Sequence, residues 1–119
     1  MKGIEMLKYL LGLVVIIAAN SSHAYMITGE RLLNLGTAFR DEATGNQSIE
    51  NQINGSAYMG YVNGIVDSFD GKLFCIPVAV TASTLASDTL NYYEKNLGMI
   101  NKKGSEIVIL ALRNKYPCH

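Results

Sequence analysis

Between Thr28 and Tyr116 the apolar positions recur mostly at helical spacing, separated by short polar or glycine-containing breaks. Thr28 can cap a helix running to about Glu42, with Leu32, Leu33, Leu35 and Phe39 on its apolar side and Glu30 near the positive end of its dipole. Thr44–Gln47, containing Gly45 and Asn46, reads as a turn. Ser48 caps a second helix whose apolar row Ile49, Ile53, Ala57, Tyr61 and Ile65 repeats every four residues, and Asp70-Gly71-Lys72 breaks it. A connector from Lys72 to Val80 carries Cys75 and Pro77. Thr81 begins a third helix through Leu85, Thr89, Tyr93 and Leu97, with Gly98 as its natural C′ residue. After a loop to Gly104, Ser105 starts a last helix through Val108, Ala111, Leu112 and Tyr116, which Pro117 ends. The pattern predicts an all-α, compact single domain of about four helices.

The second helix contains a conflict. Gly60 and Gly64 sit inside it, each costing about 1 kcal/mol against alanine. With Ala57 and Asp67 they form a row of small or short residues on one face. Such a row lets another helix approach closely, from the same chain or from a second copy. A helix kinked or broken at Gly64 is the alternative. Asp67, at the negative end of the helix dipole, is expected to accept hydrogen bonds from the loop that follows. Tyr61 and Tyr93 fall on the apolar rows and are expected in the core, whereas Tyr58 and Tyr92 fall off them and are candidates for an interface.

The start of the chain has a different character. Lys2 and Lys8 precede an apolar run from Tyr9 to Ala19, and Ser22-His23-Ala24 ends in the small-x-small pattern of a signal-peptidase site. The run is shorter than the roughly 20 residues of a membrane-spanning helix. Residues 1–24 are therefore expected to be a cleaved signal peptide, leaving 25–119 as an exported domain with no membrane association. Removing Lys2, Lys8 and Glu5 leaves eight basic and nine acidic groups. A near-neutral surface gives no reason to expect nucleic acid as a partner.

Cleavage also removes His23, so His119 is the single histidine of the expected domain. Histidine-dependent triads and zinc sites would have to be built around it, which disfavours an enzyme and implies no metal or cofactor. Asp67, Asp70 and Asp88 show no spacing that sets two carboxylates across a cleft. Cys75 and Cys118 are an even pair in an exported chain, the pattern of a structural disulfide.

Three segments resemble a known family. Met59-Gly60-Tyr61-Val62-Asn63-Gly64-Ile65-Val66-Asp67 is similar to its Cys-x-Gly-Tyr-x-x-Gly-x-x-Asp motif, Phe74-Cys75-Ile76-Pro77 to its Phe-Cys-x-Pro connector, and Ala111–Cys118 to its Ala-Leu-x-x-x-aromatic-Pro-Cys ending. In this order, after a signal-like segment, they resemble the Rap/Tai family of type VI secretion amidase immunity proteins. The family's additional cysteines are replaced here by Met59 and, by spacing from Leu32-Leu33, Gly36, as if one whole disulfide were lost. The resemblance implies a helical periplasmic protein, often a homodimer and without catalysis of its own. It would bind a cognate peptidoglycan amidase effector and block its active site. A periplasmic acid-stress chaperone of the HdeA type is the alternative, disfavoured by a charged fraction of 17%. For the inhibitory surface the candidates are Met99, Ile100, Asn101, Lys102 and Lys103, an apolar pair beside polar groups. The competing reading folds Met99 and Ile100 inward over the core.

Overall fold

Each of the first three helices starts at a hydroxyl that the chain supplies. The computed structural model describes residues 27–119; the expected signal segment lies outside them. Thr28 Oγ1 accepts the Arg31 N–H at 3.1 Å, opening α1 (Gly29–Ala43). Ser48 Oγ does the same for Asn51 at the start of α2 (Ile49–Phe69), and Thr81 Oγ1 for Thr84 at the start of α3 (Ala82–Lys95). These side chains satisfy helix N–H groups that lack a partner within the helix. A 3-10 turn, Leu97–Met99, follows α3, and α4 spans Gly104–Lys115. The described residues form no extended strand, and the fold is the expected all-α domain.

At the end of α2 the chain reverses on Gly71, whose φ of 84° suits a residue without Cβ. Its N–H donates to the Phe74 carbonyl at 2.8 Å. The Asp70 carboxylate accepts the Ile76 N–H at 2.9 Å. Asp70 thus performs the role expected of Asp67, which is exposed on the last turn of α2. The connector's N–H groups are within reach of the residue that ends the helix, whereas Asp67 lies one turn earlier.

α1 packs most extensively against α2, and α3 and α4 complete the core. Leu32, Leu35, Tyr58, Val62, Leu90, Tyr93, Ile107, Val108 and Leu112 are buried together. Two buried tyrosines tie helices to one another: Tyr58 donates to the Ala86 carbonyl at 2.7 Å, and Tyr93 to the Gly29 carbonyl at 2.6 Å. Every buried side-chain nitrogen or oxygen among the described residues has a partner. That completeness avoids the desolvation penalty of orphaned polar groups.

The orientation of α2 departs from the expected row. Gly55, Tyr58, Val62 and Ile65 face inward, while Ile49 and Ile53 are 77% and 63% exposed. Tyr58 is therefore core and is withdrawn as an interface candidate. Ala57, Gly60, Gly64 and Asp67 do share one face, and that face is turned to solvent. Beyond the adjoining turns of α2 itself, no described residue stands within 4 Å of where a Cβ at Gly60 or Gly64 would lie. Among the described residues no other helix covers the row. The close approach between α1 and α2 occurs elsewhere, at Gly55, where a Cβ would lie 3.1 Å from the Phe39 Cα.

Candidate functional site

The Met99–Lys103 segment is stitched to the start of α1. Gly29 N–H donates to the Lys102 carbonyl at 2.9 Å, Gly104 N–H donates to the Ile27 carbonyl at 2.8 Å, and Thr28 and Lys103 form an antiparallel bridge. Gly29 permits this contact: a Cβ there would stand 2.5 Å from the Ile100 carbonyl oxygen, too close for any side chain. The loop is held in place by two backbone hydrogen bonds and a missing side chain.

Within the loop the two apolar residues part company. Met99 packs partly buried against the core, as the inward-folding reading expects. Ile100 is 37% exposed and, with Asn101, Lys102 and Lys103, lines an open cavity of about 540 Å³. Tyr61 lines the same cavity. Its hydroxyl lies beside Gly104, and burial pushes its phenol above the usual range while hydrogen bonding to Ser105 pulls it back. Glu30 contributes one carboxylate to the rim against the two lysines. The structure thus brings together four of the five loop candidates and one of the four helix-motif residues. Gly60, Gly64 and Asp67 lie outside this cavity.

Cys75 and Cys118 are disulfide-bonded across 43 positions, as the sequence predicts. The Cys75 N–H donates to the Tyr116 carbonyl at 2.8 Å beside it. Tyr116 donates in turn to the Asp88 carboxylate at 2.5 Å, and the Lys115 ammonium meets the same carboxylate at 2.8 Å. Burial and the bond to Asp88 push the Tyr116 phenol up to about 12, so it remains a donor throughout the neutral range. The periodicity marks neither Asp88 nor Gly29 as a contact, because both partnerships join residues far apart in the chain. Tyr92 is half-buried beside Asp88 and Lys115, at a smaller cavity of about 300 Å³.

Among the described residues no group of three or more His, Cys, Asp or Glu is placed to hold a metal ion. No described helix is long and apolar enough to cross a membrane. The geometry on view is a braced loop, an open mixed cavity and a stapled connector.

The family model of the Rap1a immunity proteins matches residues 28–118, from the cap of α1 to the second disulfide cysteine. The chain belongs to this family. No curated protein and no solved structure matches it. All four helices of the described residues, the cavity-lining loop and the disulfide of this Rap1a-family chain fall within the match. Replacing Asn101, Lys102 and Lys103 together by alanine is expected to change stability by less than about 0.5 kcal/mol, because all three are exposed. If this loop is the inhibitory element, the same variant is expected to bind the effector at least about tenfold more weakly in a calorimetric titration, and unchanged affinity would move the inhibitory surface elsewhere.

Proposed function

We propose that this chain is a periplasmic immunity protein that binds a peptidoglycan amidase delivered by type VI secretion and blocks its active site. The family match over residues 28–118 carries the reading, and the three ordered motifs that resemble amidase-immunity proteins narrow it to this effector class. On this reading residues 1–24 direct export and are removed after Ala24. The protein performs no catalysis itself; it occludes another protein's catalytic cleft. The test mixes the purified exported form with a type VI peptidoglycan amidase effector from the same organism and follows release of peptides from isolated cell walls. Stoichiometric inhibition is the expected result. Full amidase activity at excess immunity protein would refute the reading, and suppression of acid-induced client aggregation in that case would favour the chaperone alternative.

The same reading includes a homodimer. The outer face of α2 carries exposed Ile49, Ile53, Ala57, Gly60 and Gly64 without a charge between Asn51 and Val66. A second copy is the helix that would lie across Gly60 and Gly64. Gly64→Leu is then expected to split the dimer, read by light scattering behind a sizing column. Helix content in the separated chains should be retained, since leucine is the better helix former by up to about 1 kcal/mol. An unchanged dimer would place the contact elsewhere.

A further inference from the structure

The two cysteines of the disulfide stand in unequal surroundings. Cys75 is half-buried in a connector that is pinned on both sides of it. Its own N–H donates to the Tyr116 carbonyl at 2.8 Å, and the next N–H, that of Ile76, donates to the Asp70 carboxylate. Phe74, just before it, is fully buried. Cys118 is exposed, and so are Pro117 and His119 on either side. The backbone of Cys118 and His119 has no backbone hydrogen-bond partner among the described residues. One cysteine is thus fixed by the fold, while the other is held chiefly by the S–S bond.

The end of α4 does not depend on that bond for its place. The Tyr116 hydroxyl donates to one Asp88 carboxylate oxygen and the Lys115 ammonium to the other. The Tyr116 N–H donates to the Leu112 carbonyl at 2.7 Å. Opening the disulfide therefore releases Pro117, Cys118 and His119, and leaves Cys75 tied beside Tyr116. Exchange begins when a thiolate attacks one of the two sulfurs, and access decides which. Attack at Cys75 has to enter a half-buried, pinned connector. Attack at Cys118 meets neither the burial nor the ties.

We infer that Cys118 is a reversible modification site for small thiols of the glutathione class, and that Cys75 is the sulfur that expels them. In the forward step the incoming thiolate forms a bond to the Cys118 Sγ. The Cys75–Cys118 bond breaks, its electron pair leaves on the Cys75 Sγ, and that sulfur takes a proton from water. The products are a mixed disulfide on Cys118 and a free thiol on Cys75, with one S–S bond before and one after. In the return step the Cys75 thiolate attacks the Cys118 Sγ and releases the small thiol. Because Asp88 keeps Tyr116 in place and Tyr116 holds Cys75, the staple opens and reseals without unfolding the helices. The site stands independently of the immunity reading, and neither cysteine lines the Ile100–Lys103 cavity.

The experiment incubates the oxidised exported protein briefly with excess reduced glutathione at neutral pH, stops exchange with acid and maps the adduct by mass spectrometry. Glutathione should be found on Cys118 at least about tenfold more often than on Cys75. Equal labelling, a preference for Cys75 or no adduct at either cysteine would overturn the assignment. Removing free glutathione from an unquenched sample should restore the wild-type mass as Cys75 reseals the bond. An adduct that persists beside a free Cys75 thiol would overturn the role given to Cys75. A third measurement loads Cys75→Ser with glutathione at Cys118, using glutathione disulfide, and records its circular dichroism. A helical spectrum matching the wild type is expected, and loss of helix would overturn the claim that opening is local.

Discussion

Cys75→Ser with Cys118→Ser is expected to lower the stability of the domain by about 2–5 kcal/mol. The bond closes a segment of 43 positions, and chain-entropy reasoning puts the cost of releasing that loop in the unfolded state at about 4 kcal/mol. The whole stability of a small domain is about 5–15 kcal/mol, so the staple carries a large share of it. On the folded side the bond is backed by weaker ties. The Cys75 N–H still reaches Tyr116 at 2.8 Å, Tyr116 still reaches Asp88 at 2.5 Å, and Phe74 remains buried. The variant should therefore fold to the same structure and melt at least about 10 °C lower. Reductant added to the wild type should reproduce the shift in a thermal scan followed by circular dichroism. A shift of less than about 2 °C would mean that the unfolded chain is already compact around these residues.

Most helix limits are legible in the chain because their causes are local. The end of α3 is not, since α3 stops at Lys95 and both Leu97 and Gly98, expected as its last apolar residue and its C′ residue, fall in the 3-10 turn. Thr28, Ser48 and Thr81 each stand three residues before the N–H they accept, and Asp70-Gly71 stops α2 within its own sequence. The inner face of α2 is not legible, and geometry explains why. A row repeating every four residues drifts about 40° around a helix at each step, so Ile49 and Ile65 stand about 160° apart. Ile65 is buried and Ile49 is exposed. The inward row Gly55, Tyr58, Val62 and Ile65 alternates steps of three and four, which stays on one face. Apolar residues also populate the outer side of α2, so periodicity alone has nothing with which to choose between the faces. Only the helices packed against it decide.

Parts of the candidate site can be read and parts cannot. The disulfide follows from an even cysteine count in a chain expected to be exported, and the loop from its mixed composition. Tyr61 belongs to the same cavity only because Gly104 and the start of α1 meet there, through Gly29 and Ile27. That meeting joins residues about 75 positions apart, beyond the reach of any local pattern.

Tyr58→Ala is expected to destabilise the domain by about 3–5 kcal/mol, the usual range for emptying an aromatic site in a core. The residue is 1% exposed. Its ring meets Phe39 with centroids 5.4 Å apart and rests against Gly36, where a Cβ would come within 3.2 Å of it. Three helices therefore share the space that the truncation would vacate: α1 through Gly36 and Phe39, α2 through Tyr58 itself, and α3 through Ala86. Tyr58→Phe separates the ring from the hydroxyl. It keeps the packing and loses the 2.7 Å bond to the Ala86 carbonyl, a change of about 1 kcal/mol. Burial holds the phenol well above its usual range, so it remains a donor near neutrality and the loss should not vary with pH there. Urea denaturation of the two variants beside the wild type measures both differences. A tyrosine serving as an effector anchor would show the reverse behaviour, with alanine nearly neutral for stability and costly for binding. If Tyr58→Ala left the denaturation midpoint within experimental scatter of the wild type, the inward face of α2 assigned here would be wrong. The row through Ile49 and Ile53 would then have to be the buried one.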